Sequence, residues 1–246
     1  MTAGYLSEIF VSFQGEGAHV GRRHLFVRLA GCNLRCRYCD TPDSLTRTAG
    51  YTVFRSDRPP LWCDNPVAVE EARGVIDSLL EDQASVDAIA FTGGEPLVQS
   101  KFLAALLASA CFRTPVLLET NGMLPRNLQD VLPWVDIISM DIKLPSNTGE
   151  HAFWEEHGEF LELARGKDLY VKILVDRTTT DADVERAATM LALGDPAIPT
   201  FMQPIVDLAG APLIDAEVLT RLYLLARRYL SSIRVLPQTH KLLSIP

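Results

Sequence analysis

The chain predicts an α/β fold, an open partial (β/α) barrel of about six parallel strands. Three features point there. Short apolar runs alternate with longer helix-compatible stretches along the 246 residues, the pattern of a parallel sheet with crossover helices. Polar residues and glycines follow the apolar runs rather than precede them. The strand-like runs are fewer than the eight of a closed barrel.

The elements follow in order. Residues 25–29 form a compact apolar strand, and a cysteine-rich loop comes next. Residues 66–80 read as a helix, with Asn65 as N-cap and Pro66 at the first position. A strand at 87–91 precedes an Ala/Leu-rich helix at 97–110. Strands at 115–119 and 136–140 follow, then a helix at 153–164 and a long apolar strand at 169–175. A helix at 181–193, capped by Asp181, leads to a strand at 199–203. A helix at 215–229 and a short strand at 233–236 close the pattern.

The polar clusters lie at 31–40, 92–96, 119–122, 139–143, 203–204 and 237–241. Function in such folds sits at the carboxyl ends of the strands, so these clusters are expected to line one mouth. Residues 42–64 interrupt the alternation. So long a connection is uncommon without a job, and it reads as either a surface insertion or a lid or partner surface within a single domain spanning 1–246.

Hydrophobic residues make up 48% of the chain, enough for a sizeable core. A net charge of −8 argues against binding to a nucleic-acid backbone. No apolar run suffices to span a bilayer. Five cysteines, an odd number without a secretory leader, suit a reducing cytoplasm. Cys63 and Cys111 have no partner pattern and read as ordinary thiols.

The other three cysteines stand close together, in Gly31-Cys32-Asn33-Leu34-Arg35-Cys36-Arg37-Tyr38-Cys39-Asp40-Thr41. A four-iron cluster takes one thiolate per iron. Three thiolates leave one iron open to a small chelating molecule. A zinc site using His19 or His24 fits poorly, because zinc ligands usually come as two separated pairs. The C-x3-C-x2-C spacing resembles that of the radical S-adenosylmethionine (SAM) enzymes. Thr92-Gly93-Gly94-Glu95-Pro96, one strand and one helix later, resembles their GGEP element. That resemblance implies a barrel of the radical SAM type, with Gly94 and Glu95 near the SAM ammonium and Thr92 within reach of substrate.

Further motifs narrow the resemblance: Glu8 to Gly17, Phe26 to Leu34, Cys39-Asp40-Thr41, Glu119-Thr120-Asn121-Gly122, Ser139 to Lys143, and Pro237-Gln238-Thr239-His240-Lys241. From about residue 5 to its end the chain resembles the 7-carboxy-7-deazaguanine synthases. The segment after Thr41 is longer than that family suggests. The resemblance implies conversion of 6-carboxy-5,6,7,8-tetrahydropterin to 7-carboxy-7-deazaguanine with loss of ammonia, on the route to queuosine and related deazapurines. It also implies a [4Fe-4S] cluster on Cys32, Cys36 and Cys39, SAM, and Mg²⁺ held by Thr41. A flavodoxin- or ferredoxin-like electron donor and a homodimer belong to the same expectation.

Residue roles follow from it. Phe13, Gln14, Gly15 and Glu16 frame the pterin, although a polar turn needs a glycine in any case. Arg28 binds the substrate carboxylate or forms a surface ion pair. His240 and the terminal Pro246 reach the substrate, or belong to a flexible tail. Tyr38 touches adenine or merely packs. Ser139, Asp141 and Lys143 share one face and contact SAM, with Asn121 and Gln203 beside them. Two other readings remain open: an activase that makes a glycyl radical on a partner, and a non-enzymatic iron–sulfur or zinc protein.

Overall fold

The computed structural model describes residues 2–55, 58–82, 85–110, 112–207, 210–243 and 245. Twelve strands are assigned among them. These are β1 (Ala3–Gly4), β2 (Leu6–Phe13), β3 (Arg23–Leu29), β4 (Gly50–Arg55), β5 (Arg58–Asp64), β6 (Val67–Ala68), β7 (Ala88–Gly93), β8 (Val116–Thr120), β9 (Ile137–Ile142), β10 (Asp168–Val175), β11 (Thr200–Pro204) and β12 (Ile233–Val235). The helices are α1 (Val69–Asp82), α2 (Ser100–Ser109), α3 (Pro125–Val131), α4 (Pro145–Thr148), α5 (Trp154–Leu163), α6 (Asp181–Gly194), α7 (Ala216–Ala226) and α8 (Thr239–Leu243).

Ten strands form one sheet in the order β12-β11-β10-β9-β8-β7-β3-β2-β4-β5. From β3 through β7 to β12 every neighbouring pair is parallel. The order has two free ends among the described residues, so the barrel is open, as expected. Apolar residues on one face of these strands, such as Val27, Leu29, Ile89, Phe91, Ile138, Met140, Val171 and Ile173, join the helices in the main core. The alternate residues form a second, smaller cluster on the inner face: Phe10, Phe26, Ala88, Ala90, Leu117, Ile137, Tyr170 and Phe201. Period-two alternation divides the two sets.

Several local expectations are corrected. Residues 66–68 are not helical, because Val67 and Ala68 pair with Gly4 and Ala3 and α1 begins at Val69. Asn65 is no N-cap. Its amide donates to the carbonyls of Leu6 and Thr48 and accepts from Leu6 N, stitching the first strands together. Thr180, not Asp181, caps α6, accepting from Asp183 N. The helix expected at 97–110 starts as a 3-10 turn at Pro96–Gln99. The segment 8–17, read only as motif and turn, opens with β2, antiparallel to β3. β4 and β5 pair antiparallel and extend the sheet edge beyond β2. Cys63 lies on β5 against the main core, and Cys111 falls outside the described residues.

The inner cluster ends on two histidines. His19 stacks on Tyr170 and lies 5.7 Å from His24, ring centre to ring centre. His24 is fully buried, and neither of its ring nitrogens has a hydrogen-bond partner among the described residues. Burial, reinforced by His19, pushes its imidazole down to about 4. In the unfolded chain it would titrate near its ordinary value of 6.5, so the unfolded state binds the extra proton between the two. Its stabilising contribution is therefore complete above that ordinary value and is lost as pH falls towards about 4. The urea midpoint should fall across that window, as the unfolding free energy loses up to roughly 3 kcal/mol from this group. His24→Phe should flatten that slope in anaerobic urea titrations followed by tryptophan fluorescence. An unchanged slope in the variant would contradict the assignment.

Candidate active site

The cysteine loop leaves the end of β3 and is tied down on both sides. Gly31 N donates to Ser44 O at 2.7 Å, Arg35 N to Glu150 Oε1 at 2.7 Å, and Arg37 N to Thr148 O at 3.2 Å. Arg35 also folds back on the carbonyls of Cys32 and Leu34. Cys32, Cys36 and Cys39 are free, half-buried thiols. Burial pushes the Cys32 and Cys36 thiols up, each feels the charge of Cys39, and the Lys143 ammonium pulls both down. Thiols so placed lose their protons to a bound metal rather than to water. Among the described residues no three His, Cys, Asp or Glu groups converge as they would around a metal ion. Three thiols spread along one anchored loop instead suit a cluster that takes one thiolate per iron. These residues would hold [4Fe-4S].

Glycines bring β7 against this loop. Gly93 has φ +146°, and a Cβ there would sit 2.1 Å from Leu29 O. A Cβ on Gly94 would meet Gly31 O at 2.4 Å and Cys32 Cβ at 2.8 Å. Only glycine permits that approach. Glu95 N then donates to Gly31 O. The Glu95 side chain is fully buried and spends both oxygens on the protein, accepting from Leu97 N, Thr120 Oγ1 and Asn121 N. Burial pushes its carboxyl up to about 7, although these three bonds oppose the rise. Asn121 carries the link onward, its Nδ2 donating to Asn33 Oδ1 in the cysteine loop at 2.8 Å. His157 Nε2 lies 3.0 Å from Asn121 O.

Register places the other candidates on the inner face. Arg28 is opposite Thr92, Glu119 opposite Ser139, Asp141 opposite Lys172, and Leu174 opposite Gln203. Thr92 is buried. Arg28 donates through Nε to Glu8 at 2.7 Å, its sole hydrogen bond among the described residues. Lys143 bonds Asp141 at 2.8 Å and stands 5.6 Å from the centre of the Tyr38 ring. The Tyr38 hydroxyl is buried, and desolvation raises its pKa. Ser139 Oγ and Gln203 Oε1 are buried without hydrogen-bond partners among the described residues, and such atoms in a cleft call for a ligand or water.

The segment between β2 and β3 reaches across this face. Gln14 donates to Glu119 at 2.8 Å. Glu16 accepts from Lys172 at 2.5 Å, Gln203 at 2.9 Å and Gln238 at 2.7 Å. Burial would raise the Glu16 carboxyl, but Lys172, His240 and Gln238 together hold it well below the usual carboxylate range. Lys172 also pairs with Asp141 at 3.1 Å. Gly15 lies under His240, where a Cβ would fall 2.2 Å from the ring, and Gly15 O accepts from Thr239. Lys241 pairs with Asp40 at 3.5 Å, tying α8 to the cysteine loop. Thr41 opens the 3-10 turn Pro42–Ser44, and its hydroxyl has no partner among the described residues. A lone hydroxyl suits Mg²⁺, which keeps several waters.

The structure thus gathers Gln14, Gly15, Glu16, Arg28, Tyr38, Asn121, Ser139, Asp141, Lys143, Gln203 and His240 around one mouth. Phe13 is 48% exposed and shares its strand face with Val11, away from that mouth. Pro246 lies outside the described residues. Sequence reasoning gave Lys172 and His157 no role, and placed Glu119 and Gln238 only within clusters expected to line the mouth. A signal existed for Lys172, the one charge inside the apolar run 169–175.

The model of the radical SAM superfamily matches residues 27–191. A 7-carboxy-7-deazaguanine synthase of Geobacter sulfurreducens is 38% identical over 96% of this chain and 95% of its own. The chain belongs to the 7-carboxy-7-deazaguanine synthase family. Another member, from Methanothermobacter thermautotrophicus, is 33% identical over 97% of this chain and 96% of its own. The crystal structure of QueE from Escherichia coli shares the fold, with a TM-score of 0.56, 21% identity and 95% coverage of both chains. No helix among the described residues is long and apolar enough to cross a membrane.

Because Gly94 lies against Cys32, Gly94→Ala should displace the cysteine loop at a cost of about 1–3 kcal/mol. Iron and sulfide per chain after anaerobic reconstitution should fall well below the wild-type values. Full loading would contradict the packing role.

Proposed function

We infer that this protein converts 6-carboxy-5,6,7,8-tetrahydropterin to 7-carboxy-7-deazaguanine with loss of ammonia, in queuosine and 7-deazapurine biosynthesis. The observation that carries this reading is the end-to-end similarity to 7-carboxy-7-deazaguanine synthases, 38% over 96% of the chain in one case. When bound, a [4Fe-4S] cluster with SAM supplies one-electron chemistry able to break an unactivated C–H bond.

The chain's own residues do the positioning. Cys32, Cys36 and Cys39 hold the cluster, and Lys143 favours the negative charge gathered beside it. Tyr38, Gly94, Glu95, Asn121, Ser139, Asp141 and Gln203 shape the SAM side, with Glu95 acting through the backbone it fixes. On the pterin side, Glu8 engages Arg28 through Nε alone, so both terminal amino groups of the guanidinium remain for the substrate carboxylate. Glu16, an acceptor when ionised, meets the amino-pyrimidinone edge. Gln14, Gly15, Thr92 and His240 complete the pterin pocket, and Thr41 takes Mg²⁺.

One domain spans 1–246, with the β4–β5 pair as its insertion. A flavodoxin- or ferredoxin-like protein supplies the electron, the protein is a homodimer, and its free thiols suit the cytoplasm. The test is an anaerobic reaction of reconstituted protein with SAM, dithionite, Mg²⁺ and the pterin, read by mass spectrometry. The expected result is 7-carboxy-7-deazaguanine, abolished by Cys36→Ala. Cleavage of SAM with the pterin left intact would overturn the substrate assignment.

A further inference from the structure

Lys172 stands at the middle of β10 with 4% of its surface exposed. A buried ammonium is costly unless paired, and this one bridges two carboxylates, Glu16 Oε2 at 2.5 Å and Asp141 Oδ1 at 3.1 Å. The other oxygen of Glu16 accepts from both Gln203 and Gln238. Three donors from β10, β11 and the segment after β12 therefore converge on one carboxylate. It cannot rotate, and it has no proton to give. Among the described residues Oε2 takes a single protein donor, which leaves it capacity for a donor on a ligand.

We propose that Lys172 is a positioning residue that fixes Glu16 as a permanent hydrogen-bond acceptor and thereby makes the site select a 2-amino over a 2-oxo pteridine ring. The proposal rests on the reading that this mouth takes a pterin. A 2-amino group offers the fixed anion a donor, whereas a 2-oxo group turns an oxygen towards it. Sites built around a committed polar partner reject the mismatched analogue strongly.

The surroundings make Lys172 the deciding group. Facing it are Glu16, Glu119 from β8, Asp141 from β9 and Tyr170 from its own strand. Lys143 pairs with Asp141, and His240 faces Glu16. Without Lys172, Glu16 would keep the neutral donors Gln203 and Gln238 and the neighbouring His240 among the described residues. Burial then favours a proton on Glu16, and a protonated Glu16 can donate to an oxo group.

The test measures binding without turnover. Reconstituted protein with SAM, Mg²⁺ and no reductant is titrated calorimetrically at neutral pH with 6-carboxypterin and with 6-carboxylumazine, its 2-oxo counterpart. Wild type should prefer the pterin by at least about 100-fold. In Lys172→Met that ratio should shrink about tenfold or more, with iron content unchanged. Lys172→Gln keeps a donor without the charge and should behave likewise, so it decides the matter if the Met variant does not fold. An unchanged ratio, or equal loss of affinity for both ligands, would reduce Lys172 to a structural part and overturn the proposal. A wild type that binds neither compound would instead overturn the pterin reading.

Discussion

The ion pair between Lys172 and Glu16 organises the interior of this barrel. Glu16 lies on the connection from β2 to β3, yet it is gripped by residues of β10, β11 and the C-terminal segment. Taking two charges out of water costs several kcal/mol, and a buried pair rarely repays that in stability. Apolar residues would fill the same space more cheaply. What the pair does provide is a carboxylate of fixed charge and direction, and the Asp141–Lys143 pair extends the same ladder to Tyr38 in the cysteine loop.

The other half of the mouth depends on backbone rather than charge. Gly93 and Gly94 let β7 lie flush against the turn after β3, and Glu95 then pins the ends of β7 and β8 together. Asn121 passes that constraint to Asn33, between the first two thiols. The loop that would carry the cluster is thereby set by the sheet, with Thr148 and Glu150 holding its far side. α8 closes the circuit, touching Gly15 on one side and Asp40 on the other.

Much of this could be read in the sequence because it is local. Apolar runs such as 169–175 announce their own strands, and the polar residues behind them mark the mouth. Cys32, Cys36 and Cys39 stand in one short run whose spacing, with the Gly93-Gly94-Glu95-Pro96 element, resembles the radical SAM enzymes. What escaped reading is non-local. Glu16 and Gln238 meet although they are 222 residues apart. β2 looked like a turn with apolar flanks because its partner strand lies on the far side of that turn. Asn65 looked like a helix cap because nothing nearby shows that Leu6 claims its amide. Lys172 was visible as a charge in an apolar strand, but its meaning lay in two carboxylates on other elements.

If the thiol side and the pterin side form one mouth, the substrate C6–H would face SAM when both are bound. The most direct measurement uses substrate deuterated at C6 under turnover and follows the label by mass spectrometry. Deuterium recovered in 5′-deoxyadenosine or SAM is the predicted result. Product formed with no label in either would contradict the account, because the two halves of the site would then not meet at that hydrogen.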